Sequence, residues 1–261
     1  LSPGKALLLR ALMLPNFLLT KACGLDNLCR QEGAQIYAFN HNNSLEAILV
    51  PVFLMYHLGG KTISFVIDWM YGKIPLLGQL MDLVEPVYVF NKRSKLPWIE
   101  NERPASPPDD VIGRCSEKLF SGRSIGIFPE GKRNRNPACL MKGKPGIAHI
   151  ALRTGAAVVP VGIDFNCRMS KNRIPVLGRT IIRIGRPLHF RKESGEYREI
   201  LSRQEKSADS RRQLNRLADE VTHEIMLSLS GLSGKQYSEP CPALKYNPQP
   251  QINLEEQPCP V

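Results

Sequence analysis

The stretch AFNHNNSLEA, residues 38–47, gathers Asn40, His41, Asn42, Asn43 and Ser44 between two apolar runs, QIYAF and AILVPVFLMY, with Glu46 five residues after His41. A histidine with a carboxylate on one ring nitrogen has its tautomer fixed and its imidazolium favoured. The other nitrogen is then available to take a proton from a hydroxyl. A helix start explains the same residues differently. Asn43 followed by Glu46 has capping-box spacing, in which Glu reaches back to the cap residue's backbone N–H, and His41 is then a turn histidine. The stretch alone leaves both readings open.

A second chemistry-bearing stretch is SIGIFPEGKRNRNPACLMKGKPGIAHIALRTG, residues 124–155. Pro129 and Gly131 break an apolar strand, and Arg133, Arg135, Lys142 and Lys144 crowd the turn with only Glu130 opposing them. Glycine backbone and guanidinium groups just past a strand suit a phosphate, because arginine grips such oxygens in a planar fork. A solvated basic loop, or an electrostatic foot on anionic lipid, is the competing reading.

Elements at these places must set the geometry. Strand-like runs are QIYAF (35–39), TISFVI (62–67), PVYVF (86–90), SIGIF (124–128), AVVPVGI (157–163) and RTIIRIG (179–185). Helical patterns lie near 44–58, 73–84, 110–121 and 145–154, and from Ser207 the residues Leu214, Leu217, Val221, Ile225 and Leu229 share a helical face. This alternation predicts a single α/β domain, with a mostly parallel central sheet flanked by helices. The His41 turn then follows a strand and precedes a helix, where open α/β sheets build their sites. LPWIENERPASPPDD, residues 96–110, reads as a Pro-rich loop.

The chain divides into an N-terminal interfacial helical segment at 1–30, the domain at 31–230, and a Pro- and Gln-rich tail at 231–261 expected to be disordered. Residues 5–22 are apolar but interrupted by Arg10, Asn16 and Lys21 and kinked at Pro15. That falls short of the ~18 continuous apolar residues of a spanning helix, so an interfacial helix pair at a membrane surface is expected.

The net charge is +11, from 35 basic and 24 acidic residues over 261 positions, and it calls for an anionic partner. The seven cysteines show no CxxC pair and the five histidines sit apart from them, so zinc-site spacing is absent and reduced thiols are expected. Gly122-Arg123-Ser124-Ile125-Gly126 matches GxSxG, but a nucleophile elbow needs a strand before its serine and a helix after it. Here the order is reversed. A basic strand interleaved with aromatics for base stacking is also missing, so nucleic acid is not expected as a partner.

Together, the two stretches resemble the glycerolipid acyltransferase family that includes the lysophosphatidic acid acyltransferases. AFNHNNSLE resembles the family's His-x4-Asp block, with Glu46 where Asp is usual. KIPLLGQL (73–80) carries Ile-Pro-x-x-Gly at Ile74, Pro75 and Gly78. IFPEGKRN resembles Phe-Pro-Glu-Gly-x-Arg, VVPVGI (158–163) the closing Val-Pro-Val strand, and Lys144-Pro145-Gly146 the Lys-x-Gly helix start. The resemblance covers roughly residues 30–190.

The resemblance implies a membrane-associated enzyme on the cytoplasmic face, with no metal and no cofactor beyond acyl-CoA or acyl-carrier protein as co-substrate. His41 would deprotonate a lipid hydroxyl, with Glu46 orienting and charging the imidazole. Glu130, Gly131, Arg133 and Lys144 would hold the phosphate end of a lyso-phospholipid, most simply 1-acylglycerol-3-phosphate, giving phosphatidic acid. The family's substrate-binding arginine falls on Asn91, leaving Lys92 or Arg93 to serve, and Arg93 is taken as the binding residue. Asp68-Trp69-Met70 stands where the family often has Lys-x-Glu. An acceptor without phosphate, or a basic membrane-binding module without catalysis, are the alternatives.

Overall fold

The structure is a computed structural model. It describes residues 3–29, 33–42, 46–75, 77–81, 84–106, 108, 110–134, 136–166, 179–203 and 207–237. The chain runs α1 (Pro3–Leu19), β1 (Thr20–Cys23), α2 (Asp26–Cys29), β2 (Ile36–Phe39), α3 (Glu46–His57) and β3 (Ile63–Asp68). A 3-10 turn (Trp69–Lys73), α4 (Leu77–Met81), β4 (Val87–Val89), α5 (Pro97–Glu100), α6 (Val111–Phe120) and β5 (Ser124–Ile127) follow. The rest is α7 (Gly146–Thr154), β6 (Val158–Asn166), β7 (Arg179–Ile184), α8 (Arg191–Ser202) and α9 (Ala208–Ser233).

The strands form one seven-stranded sheet in the order β1-β7-β6-β2-β5-β3-β4. From β6 to β4 every pair is parallel, and only β7 runs against β6. The expected mostly parallel α/β sheet is therefore present. Each parallel crossover needs covering helices, which explains why the central strands are apolar on both faces.

Side chains of β2 show the two-sided burial. Ile36 and Ala38 enter a core with α6, α7, α8 and α9, while Tyr37 and Phe39 enter a second core with α1 and α3. Successive strand residues point to opposite faces, so four consecutive buried residues serve both layers. The heptad-like face of α9 (Leu217, Val221, Ile225, Leu229) packs in the first core, as its spacing predicts.

Four expectations need correction. Residues 5–22 form one helix rather than a pair: Pro15 is exposed inside α1, and Leu9, Met13 and Asn16 bury the other side. That packing outweighs the one hydrogen bond proline removes. Next, Thr20–Cys23 is an edge strand paired with β7, so the N-terminal segment is tied into the sheet. Cys23 is disulfide-bonded, against the expectation of thiols throughout, whereas Cys115 and Cys139 are free. Burial pushes the Cys115 thiol up to about 12, which makes it an inert core group.

Lastly, order extends beyond residue 231. α9 continues to Ser233, and Gln236 exchanges backbone hydrogen bonds with Ala138 and Leu140. The expected disorder of 238–261 falls outside the described residues. No helix among the described residues is long and apolar enough to cross a membrane.

Candidate active site

β2, β5, β3 and β4 are parallel neighbours, so their carboxyl ends share one rim of the sheet. His41 follows β2, Glu130 to Lys144 follow β5, Asp68 closes β3, and Lys92 and Arg93 follow β4. Every described candidate residue thus lies on this rim. With ~4.8 Å between strands, Arg93 is about three strand spacings, ~14 Å, from the His41 position, whereas the Glu130 turn is directly beside it.

The asparagines around His41 have a structural duty. Asn40 is fully buried, and its side-chain amide pairs with the backbone N–H and C=O of one residue of β6, Ile163. Its Nδ2 donates to Ile163 O at 2.7 Å, and the Ile163 N–H donates to its Oδ1 at 2.6 Å. Asn42 donates to the same carbonyl at 2.9 Å and accepts from Asn40 Nδ2 at 3.2 Å. The residues on both sides of His41 are thereby fixed to the neighbouring strand.

The histidine ring lies over Phe128, with centroids 4.6 Å apart, and Phe128 continues into Phe39 at 5.4 Å. Its Nδ1 is shielded from solvent while the residue as a whole is only partly buried. Packing against this aromatic wall helps hold the ring's orientation. Glu46 opens α3, in the first turn of the helix after His41. Its side chain, and Asn43 of the capping-box reading, lie outside the described residues.

Glu130 is placed differently from a phosphate-binding group. It is only 2% exposed, and both oxygens accept N–H donors from inside the protein. Oε1 accepts the His41 backbone N–H at 3.1 Å; Oε2 accepts Asn134 Nδ2 at 2.8 Å and the Met141 N–H at 2.9 Å. A carboxylate would repel an anionic ligand, and here it is turned inward as a brace. The Asn134 N–H donates to His41 O at 2.7 Å, so the two turns are joined in both directions.

With Glu130 inward, the cations of the turn face outward. Gly131 adopts φ +66°, which a side chain disfavours, and a Cβ there would come within 2.8 Å of Lys144 Nζ. The Lys144 chain therefore lies across the bare backbone of Gly131. The Lys144 N–H donates to Pro129 O at 2.9 Å, closing the turn before α7 begins at Gly146. Arg133 and Lys144 are exposed, and Arg135 lies outside the described residues.

The KIPLLGQL block turns the chain from β3 back over the sheet. The Gly78 N–H donates to Ile74 O at 2.8 Å, and a Cβ at Gly78 would meet Gly72 O at 2.4 Å. Lys92 is ion-paired to Asp68 at 2.6 Å, and Arg93 is exposed beside it. Both cations after Asn91 are exposed, Lys92 with its charge taken up by Asp68. Ser124 of the GxSxG match begins β5 and its hydroxyl accepts the Gln35 N–H at 3.0 Å, far from an elbow geometry.

Sequence reasoning missed Asn40, Phe128, Asn134 and the C-terminal strap. The clustered asparagines were the available signal for the first. The strap had none: Lys235 donates to Asn136 O at 3.0 Å across 99 positions, holding the cationic turn from outside.

This chain is similar to two curated plant proteins. It is 30% identical over 140 residues to the chloroplastic 1-acyl-sn-glycerol-3-phosphate acyltransferase LPAT1 of Arabidopsis thaliana, covering 53% of this chain and 34% of that protein. To the chloroplastic 1-acyl-sn-glycerol-3-phosphate acyltransferase BAT2 of Brassica napus it is 30% identical over 148 residues, 56% of this chain and 37% of that one. The chain spans about a third of the length of these relatives. Its fold is similar to the crystal structure of the 1-acyl-sn-glycerophosphate (LPA) acyltransferase PlsC from Thermotoga maritima. The TM-score is 0.50 at 17% identity, over 90% of this chain and 83% of that one. A sequence model described as acyltransferase matches residues 21–164, more than half the chain, taking in both the His41 turn and the Glu130–Lys144 turn; the chain belongs to the acyltransferase family.

Proposed function

We propose that the chain moves a fatty acyl group from a thioester, acyl-CoA or acyl-carrier protein, to the free hydroxyl of 1-acylglycerol-3-phosphate, giving phosphatidic acid. The observation that carries this reading is the Glu130 brace, which holds the His41 turn against the outward-facing cations of the next turn. On this reading the base for the hydroxyl and the binding site for its phosphate would be neighbours on one rim. The curated relatives carry the matching activity in their names.

In the reaction, the outer nitrogen of His41 takes the hydroxyl proton as the oxygen attacks the thioester carbonyl. The tetrahedral intermediate collapses, the C–S bond breaks, and the departing thiolate recovers the proton from the imidazolium. Glu46 stabilises that imidazolium. Arg133, Lys144 and Gly131 backbone grip the phosphate, and Arg93 extends the cationic rim. The exposed apolar residues of α1 (Leu7, Leu8, Leu14, Phe17, Leu18) support attachment to a membrane surface.

Purified protein with acyl-CoA and a panel of lyso-lipids, the products read by mass, tests the assignment. Phosphatidic acid from lysophosphatidate is the expected product. Acylation of an uncharged monoacylglycerol in preference would move the acceptor to a lipid without phosphate. Thioester that persists with every acceptor would leave a binding module.

A further inference from the structure

The rim that carries His41 also holds out apolar groups at its far end. Past β3 the 3-10 turn leaves Tyr71 45% exposed, and past β4 Leu96 and Trp98 are 46% and 48% exposed. These side chains stand on a braced base. Trp69 is buried, stacks on Phe90 at 5.9 Å between centroids, and donates from Nε1 to Lys92 O at 3.1 Å. Ile99 is buried under the turn, Glu100 accepts the Ser94 N–H at 2.6 Å, and Arg103 donates to Phe90 O at 2.6 Å. A loop fixed this firmly presents its tryptophan rather than leaving it loose.

The charge around the patch is positive. Asp68, Glu100 and Glu102 are taken up by Lys92, Arg103 and Lys73 respectively. Arg93 and Lys95, beside Leu96, are exposed. Tryptophan and tyrosine with flanking cations suit the headgroup level of an anionic bilayer, where the rings are half apolar and half wet.

Position decides the role. β1 and β4 are the two outer strands of the sheet and β2 is the middle one of seven. β1 runs antiparallel to β2, since it is parallel to β7, which opposes β6, which is parallel to β2. Hence α1 hands over to β1 at the same rim where β2, β3 and β4 end. The apolar residues Leu14, Phe17 and Leu18 stand at that end of α1. His41 therefore lies about three strand spacings, ~14 Å, from each flank.

We infer that the rim past β3 and β4, with Tyr71, Leu96 and Trp98 between Arg93 and Lys95, is a second lipid-docking surface for an anionic membrane. It acts with the end of α1 on the opposite flank, so that the two contacts straddle His41 and face the catalytic rim to the bilayer. This rests on the lipid-substrate reading above, but it is tested without turnover.

The chain has two tryptophans, and Trp69 is buried. A Trp69→Phe protein reports Trp98 alone. Mixed with phosphatidylcholine–phosphatidylglycerol vesicles, its emission is expected to shift to the blue and to be quenched by lipids brominated on their acyl chains. Should Trp69→Phe fold poorly, the same quenching in the wild type still reports the exposed ring. Trp98→Ala and Leu96→Ser are each expected to weaken partitioning about tenfold, from the apolar area withdrawn. Lys95→Gln is expected to weaken it about fivefold at low salt and less as salt rises.

Emission unchanged at saturating vesicles, or unaltered partitioning in Trp98→Ala, would overturn the proposal and leave α1 as the docking element. So would the same blue shift with monomeric lyso-lipid or acyl-CoA in place of vesicles, which would assign the patch to a substrate chain. A protein that docks through Trp98 yet transfers no acyl group loses only the enzymatic reading. One that acylates a detergent-dispersed acceptor yet fails to dock loses only this inference.

Discussion

Glu130 accepts the backbone N–H of His41 at 3.1 Å, while its second oxygen holds Asn134 and Met141. The carboxylate is an acceptor for three donors at once. A Gln in its place must turn its NH2 toward one of those donors, leaving a buried mismatch worth about 1–3 kcal/mol. Glu130→Gln is therefore expected to lower the melting temperature by roughly 3–10 °C and to reduce turnover with it. His41→Ala leaves the backbone N–H in place, so its melting temperature should stay near wild type while turnover falls on the order of 10²–10⁴-fold. Thermal unfolding beside acyl-transfer rates separates the two. Glu130→Gln with native stability would deny the brace, and an active His41→Ala would remove the base.

Why the sequence alone did not show this follows from where the donors come from. Glu130 and His41 are 89 positions apart, and local pattern says nothing of which way a carboxylate points. The central strands were legible because a strand buried on both faces must be apolar throughout, as Ile36–Phe39 is. Thr20–Cys23 was not, since TKAC is short and half polar and becomes a strand only through pairing with β7. α8 was equally silent: RKESGEYREILS offers the core only Ser194, Tyr197 and Ile200. The blocks of sequence supplied the candidate residues of the site. Their division into inward brace and outward cations required the fold.

Glu46 admits a direct test of its two readings. Gln fills a capping box as well as Glu does, so under helix capping Glu46→Gln should keep full turnover. Under the orienting reading it should lower turnover sharply with little change in melting temperature, because the imidazolium loses its counter-charge. Rates and melting curves on the same preparation give the answer.

Acid should destabilise the helical layer behind the sheet. His149 Nδ1 and the Tyr197 hydroxyl are 2.7 Å apart, and burial lowers the His149 pKa, opposed in part by Asp219. The folded protein then binds fewer protons than the unfolded chain between that lowered value and the ordinary 6.5. Its contribution is complete above 6.5 and is lost as pH falls through this window. His57, also lowered by burial, adds to the trend. Glu224 opposes it, since burial and Glu193 raise its pKa and favour the folded state as pH falls toward its ordinary range. Melting temperature should drop as pH falls from neutral through the ordinary histidine value of 6.5 and below it. His149→Gln, which keeps an amide partner for Tyr197, should flatten that drop. An identical profile in the variant would exclude His149 as its source.

The acceptor itself is decided at Arg133. A phosphate monoester carries about −1.5 to −2 charge near neutrality, and a guanidinium grips it through two parallel hydrogen bonds that lysine cannot reproduce. Arg133 is exposed on the turn that Glu130 and Asn134 anchor, so on the proposed reading replacing it removes a phosphate contact while the Glu130–Asn134 hydrogen bond stays in place. Arg133→Lys should raise the KM for lysophosphatidate modestly, and Arg133→Ala should raise it further. A lost charge-assisted contact is worth roughly 1.5–3 kcal/mol, or about 10- to 150-fold. Hydrolysis of the thioester without acceptor should hardly change, because the donor carbonyl does not need that grip. The decisive comparison is kcat/KM for lysophosphatidate against an uncharged monoacylglycerol in wild type, Lys and Ala proteins. A loss confined to lysophosphatidate places the phosphate at Arg133. An equal loss with both acceptors would make Arg133 a structural or donor-side group, and the phosphate-bearing acceptor would fall while membership of the acyltransferase family stands.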